Sequence, residues 1–412
     1  MIHHTQISKT LYSKISTLHW ISTIVHPSIY FREKAALQIC VQKTNTGMQT
    51  VIKNRNINSH CNVRNELHKL GQLLEPQHFN ERNELLEEMI AACTAGKEQD
   101  SEKLLGYLMA SNLHKRFSGT GITENLYDSS NGVSQIRLFD ILIHQFPFVK
   151  YGQEITNDAI INVMAQHDQV CIIDIGIGLG TQMLHILERA KELTHLRKLT
   201  IVGIEPFENA LRTAEEKIKQ YKDQVGFELQ FLAVPQYIEQ TDLSRLADTN
   251  SAIIVNASLA LHHIKTDADR NRVIKSIRNL NPKAFLLIEP NVNHFTNDLA
   301  ARMLNCYDHF IGIFRVIDRL DASMEDKNGL KLFFGREMED ILSKADDEER
   351  FEKHEPVSAW LHRLHQSGFT TNATALLTEP KEVLGVKIQP YQKGYVGFTE
   401  QQETILAILF AF

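Results

Sequence analysis

From Val170 onward the chain alternates short apolar runs with stretches of helix length, and this alternation restricts the fold more than any other feature. The runs are Val170–Asp174, Leu199–Glu205, Ala252–Asn256 and Ala284–Glu289, with a weaker one within Phe227–Pro235. Between them lie Thr181–Leu193, Pro206–Gln224 and Asp267–Leu280. Strands apolar on both faces and separated by helices predict a doubly wound, mostly parallel sheet, an α/β core of the Rossmann-like type. Such folds bind ligands at the carboxyl ends of their strands.

The first run ends in Asp174-Ile-Gly176-Ile-Gly178-Leu-Gly180 and then enters a helix. Glycines at such a turn allow backbone conformations closed to other residues and let a ligand lie against the main chain. A dinucleotide fingerprint would place its third glycine at position 181, where this chain has Thr181. An adjacent Asp174 would repel a pyrophosphate, whereas it would attract the ammonium of a methionine moiety. The turn therefore favours S-adenosyl-L-methionine over a nicotinamide cofactor. Glu205, ending the second run ahead of Pro206, can accept both ribose hydroxyls, and Asn256 at the fourth strand's end can hold cofactor or substrate. The plainer alternative is that the glycines serve only a tight turn and Glu205 caps a helix.

Elsewhere the text is helical. Apolar residues recur at spacings of three and four from Glu66 to about Met164, with a loop near Asp128–Gly132, and again from Asp298 to about Lys344. Strand-like patterning returns at Thr370–Leu377, Gly394–Phe398 and Ile405–Phe412. The expected division is a basic, flexible arm over 1–65, a helical cap over 66–165, and a core over 166–412 carrying a helical insertion at about 298–345. In the arm Glu33 is the only acidic residue up to Asn65.

A net charge of −6 offers no field to draw nucleic acid to the molecule, so a nucleic-acid partner is not expected. No apolar run reaches the roughly 18 residues of a membrane span, and no signal-peptide core is present, so no membrane partner is expected. Five dispersed cysteines point to a reducing, cytoplasmic setting.

The ordered motifs resemble the GRAS-domain family. Val170-Cys-Ile-Ile-Asp174 is similar to its VHIID motif with Cys171 in the histidine's place, and Leu261-His-His-Ile264 to its LHHL segment. Pro282-Lys283, Glu289, Tyr307 and Gly335-Arg336-Glu337 resemble its PFYRE elements, and Gly397-Phe398 to Phe412 its terminal segment. The likeness spans roughly 66–412. The family comprises plant regulators of transcription and, in bacteria, proteins taken to be methyltransferases. Because Gly176, Gly178 and Gly180 are retained, the chain looks like the bacterial type. The resemblance further implies that the helical stretches cap the cofactor cleft.

These readings converge on an S-adenosyl-L-methionine-dependent class I methyltransferase, yielding S-adenosyl-L-homocysteine and acting on a small-molecule acceptor. A homodimer or a protein partner is also compatible. Cofactor binding is expected at Asp174, Gly176, Gly178, Gly180, Glu205, Pro206 and Asn256. Methyl transfer needs orientation and a base, for which His263, His262, Glu289 and His294 are candidates, with Asn293, Tyr307 and Arg336 contacting the acceptor. No metal is expected: a set of His262, Glu289 and His294 lacks the spacing of paired ligands on a helix. The alternative function is a non-enzymatic, GRAS-type ligand-binding or protein-interaction module.

Overall fold

The computed structural model describes residues 62–119, 135–246 and 250–412, with only the backbone of residues 135 and 136. The expected arm up to residue 61 and the loop near 128–132 lie outside these residues.

Five helices come first: α1 (Val63–Gln72), α2 (Phe79–Thr94), α3 (Ser101–Ser118), α4 (Gln135–Gln145) and α5 (Pro147–Met164). Their limits follow from local chemistry. The Asp100 carboxylate accepts from the backbone N–H groups of Glu102 and Lys103 to start α3, and Gly119 in the left-handed region ends it. Pro147 opens α5, where a missing N–H costs nothing.

The α/β part then runs β1 (Gln169–Ile175), α6 (Thr181–Ala190), β2 (Lys198–Ile204), α7 (Glu208–Lys219), β3 (Glu228–Val234), β4 (Ala252–Ser258), α8 (Asp267–Asn279) and β5 (Ala284–Pro290). There follow α9 (Leu299–Asp318), α10 (Met324–Ser343), α11 (Val357–Gln366), β6 (Lys381–Val383), β7 (Val386–Tyr391), β8 (Tyr395–Glu400) and β9 (Glu403–Ala411). The sheet order is β3-β2-β1-β4-β5-β9-β8-β7-β6. The first five strands are parallel, and the strands from β9 to β6 continue antiparallel.

Alternation along each strand feeds two cores. Val170 and Ile172 of β1 pack on one face with α5, α6, α7 and the cap helices; Cys171, Ile173 and Ile175 pack on the other with α8 and α11. Helix α9 lies against α1 and α3, and α10 against α3 and α4, so the early helices and the 298–345 stretch form one layer.

The C-terminal region departs from the sequence expectation. Thr370–Leu377 is not a strand: Thr371 makes a single bridge to Ala411, and Asn372 caps a short 3-10 turn over Ala373–Ala375. The unforeseen hairpin β6–β7 turns through Leu384 and Gly385, both at positive φ. Pro390 is tolerated in β7 because β6 pairs only as far as Ile388.

Candidate functional site

The strand order reverses between β1 and β4, and the glycine turn sits at that point. Gly176, Gly178 and Gly180 have φ of 75°, 54° and 77°, which only glycine adopts without cost. A Cβ on Gly180 would also meet the Ala214 Cβ at 3.0 Å, so the third glycine lets α7 approach the turn. Glu205 closes this structure from the side: its carboxylate accepts from the N–H of Gly178 at 3.1 Å and of Phe207 at 3.2 Å. A crevice opens here, lined by Gly176, Glu205, Pro206, Tyr237, Leu259 and His263 among others.

Asp174 does not line that crevice. It shares a sheet face with Val170 and Ile172, under α5 and α6, where its carboxylate accepts from Asn256 Nδ2 at 2.7 Å. Asn256 also donates to Gln182 Oε1 at 3.1 Å, and Gln182 Nε2 donates to Asn157 Oδ1 at 3.0 Å. Burial pushes the Asp174 carboxyl up to about 7, opposed by the Asn256 hydrogen bond. Burial likewise lifts Glu205 to about 7, against the Phe207 and Gly178 N–H groups, with the Asp174 charge adding to the rise. Of the two expected carboxylates, Glu205 is thus the one that lines the crevice, while Asp174 is held beneath the turn by Asn256.

A second, mostly apolar cavity lies under the cap, lined by Phe146, Phe148, Leu259, Ile313, Phe334 and Leu406 with others from α5, β5, α9 and α10. The helical layer thus covers this cavity; the lining of the glycine crevice comes from residues 175–264 alone. Leu259, at φ 55°, borders both spaces. Burial holds His309, at the cavity edge, down at about 3.

The expected catalytic side chains are divided. His263 lines the crevice, with Nδ1 at 3.3 Å from the Phe351 carbonyl. His262 points the other way, 2.5 Å from Glu289 Oε2, and Glu289 also accepts from Leu261 N–H at 2.8 Å. Burial works against a charge on His262, but Glu289 and Glu352 outweigh it and raise its pKa to about 10. His294 is fully buried with Nδ1 at 2.9 Å from His354 Nδ1. Of the expected acceptor contacts, exposed Asn293 caps a turn at Thr296, and Tyr307 donates to Glu102 at 3.0 Å. Arg336 lies half-buried on α10 and does not line either space.

Sequence reasoning passed over Arg350–Glu355. Glu352, His354 and Glu355 are buried there, and Arg270 ties the segment to the turn after β4. The Arg270 guanidinium donates to the carbonyls of Ile264, His262 and Lys353 and to Glu355. The one signal was the density of alternating charge in Arg350-Phe-Glu-Lys-His-Glu355.

GRAS family protein RAD1 of Lotus japonicus is 22% identical over 282 residues, covering 65% of this chain and 55% of its own. Scarecrow-like transcription factor PAT1 of Arabidopsis thaliana is 24% identical over 246 residues, covering 56% of this chain and 50% of its own. The chain thus spans about half the length of the curated relatives it matches. The crystal structure of SCL7 in Oryza sativa superposes with a TM-score of 0.65 at 16% identity, over 86% of this chain and all of that one, which shows the fold. These similarities overturn two expectations. The proteins resembled are GRAS proteins of plants, one named a transcription factor; neither the methyltransferase function nor the bacterial type stands. The GRAS domain family model matches residues 63–406, from the first residue of α1 into β9, and the chain belongs to that family.

Proposed function

We propose that this chain is a non-enzymatic regulatory module that holds an adenosyl ligand in its glycine crevice and acts through a protein partner. The observation that carries this reading is the similarity to GRAS proteins that include a named transcription factor. The geometry supports it from a second side. Three of the four expected catalytic groups, His262, Glu289 and His294, are buried and engaged with one another's neighbours, away from the crevice lining.

S-adenosyl-L-methionine or S-adenosyl-L-homocysteine fits the crevice chemistry. Gly176 gives the ligand access to backbone, and the Glu205 carboxylate has lone pairs left for ribose hydroxyls beyond the two it uses on N–H groups. Tyr237, 41% exposed at the rim, offers an aromatic face to the base. Calorimetric titration of the purified protein with each ligand tests this: saturable binding is expected, weakened by about tenfold or more in Glu205→Ala. No heat with either ligand, or an unchanged affinity in the variant, would remove the ligand half of the proposal. The partner half is tested by whether ligand alters the affinity of a captured protein, since coupling between two sites is reciprocal.

A further inference from the structure

A cluster behind the crevice has the chemistry of a metal centre. His262, on the 3-10 turn after β4, meets Glu352 and His354 from the segment between α10 and α11. One ligand-type atom from each lies within 4.8 Å of the others. His262 Nε2 and His354 Nε2 are each 3.2 Å from Glu352 Oε2. All three side chains are at most 4% exposed, and apart from these two approaches to Glu352 the three atoms have no polar partner. Buried polar atoms ordinarily have well-formed partners, so three that meet only one another around one point mark a place for something else.

We propose that His262 Nε2, His354 Nε2 and Glu352 Oε2 bind one divalent transition-metal ion of the zinc class.

The spacing fits. At metal–ligand bonds of about 2.1 Å a tetrahedron sets its ligand atoms about 3.4 Å apart, close to both 3.2 Å separations. Two imidazoles and a carboxylate suit zinc among abundant divalent ions, and a fourth position remains for water. The opposite ring nitrogens are already held: His262 Nδ1 by Glu289 at 2.5 Å and His354 Nδ1 by His294 at 2.9 Å. The Glu289 carboxylate accepts from His262 Nδ1, which leaves that ring's Nε2 open to metal, and His354 Nε2 is open in the same way when its Nδ1 donates to His294. Charge also balances. Glu289 and Glu352, each 1% exposed, bring two carboxylates into a dry region, and a dication with two neutral imidazoles cancels both, displacing the proton that His262 otherwise holds between them.

The frame is set independently of the ion. Asp340 accepts from the N–H groups of Phe351 and Glu352 at 2.8 Å each, and the His354 carbonyl accepts from His294 and Phe295 N–H. Arg270 bonds the carbonyls of His262 and Lys353 together, fixing the two ligand-bearing segments relative to each other. Glu289 and His294, weighed as ligands from the sequence, contact the ligands' other ring nitrogens instead, and the proposal departs from the expectation of no metal.

The test uses the full chain, free of any affinity tag. Metal analysis after dialysis is expected to find about one zinc per chain, and cobalt refolded in its place is expected to give the visible absorption of a tetrahedral centre. His354→Ala and Glu352→Gln should abolish both signals, and Glu289→Gln should weaken zinc affinity about 10- to 100-fold. Less than about a tenth of an ion per folded wild-type chain with no cobalt spectrum would overturn the proposal. So would full retention of metal in His354→Ala. If that variant fails to fold, the wild-type cobalt spectrum and Glu352→Gln decide. None of these outcomes bears on the adenosyl crevice, whose residues are different.

Discussion

Replacing Asp174 by Asn isolates the electrostatics beneath the glycine turn. The Asp174 carboxyl stands at about 7 in the folded chain against an ordinary 3.8, and the side chain is 4% exposed. An acid whose folded pKa is raised favours the folded state while protonated. That stability is present at low pH and is lost as pH rises from the unfolded value through the folded one. At about 1.4 kcal/mol per unit, Asp174 costs the wild type about 1.5 kcal/mol at pH ~5 and about 4 kcal/mol at pH ~8. Asp174→Asn keeps an oxygen for Asn256 Nδ2 and cannot ionise, so it removes this pH dependence. The difference in unfolding free energy between variant and wild type should grow by about 2.5 kcal/mol, in the variant's favour, between pH ~5 and pH ~8. The loss of the Asp174 charge also lowers Glu205, which acts in the same direction. Urea unfolding followed by circular dichroism at several pH values measures it. Parallel stability curves for the two proteins would refute the reasoning.

Three further outcomes follow from particular contacts. Gly180→Ala combines a left-handed φ of 77° with a Cβ 3.0 Å from Ala214, and should cost about 2–4 kcal/mol in urea unfolding; under about 1 kcal/mol would contradict the contact. Arg270→Met strands three buried carbonyls and leaves Glu355 with Arg363 as its remaining guanidinium partner, so a loss of about 2–4 kcal/mol is expected, and a neutral result would deny its bridging role. Leu384→Asn acts at an exposed turn position with φ 50° and should raise stability by about 1 kcal/mol, read as a higher melting temperature; a drop would contradict the turn assignment.

The parallel half of the sheet was legible because its strands are buried on both faces and so stand out as apolar runs ending at Asp174, Glu205, Asn256 and Glu289. The antiparallel half was not. Lys381–Val383 is too short and polar to register, Pro390 argues against the strand it occupies, and Thr370–Leu377 carries strand-forming residues that Asn372 diverts into a turn. Within the site, glycine spacing located the crevice, and the carboxylate ending the second run, Glu205, lines it; the hydrogen bonds that tie Asp174 to Asn256 and Asn256 to Gln182 join residues far apart in sequence and were not legible. Glu352 and His354 reach His262 from about 90 positions away, through a segment with no periodicity, and only tertiary structure brings them together.

The fate of a methyl label tests the central claim most directly. The protein is incubated with methyl-labelled S-adenosyl-L-methionine and an extract of its own cells, then re-isolated. A regulatory module should return the label bound and still on intact S-adenosyl-L-methionine, with Glu205→Ala returning far less. Label appearing in an acceptor only when the protein is present would contradict the account.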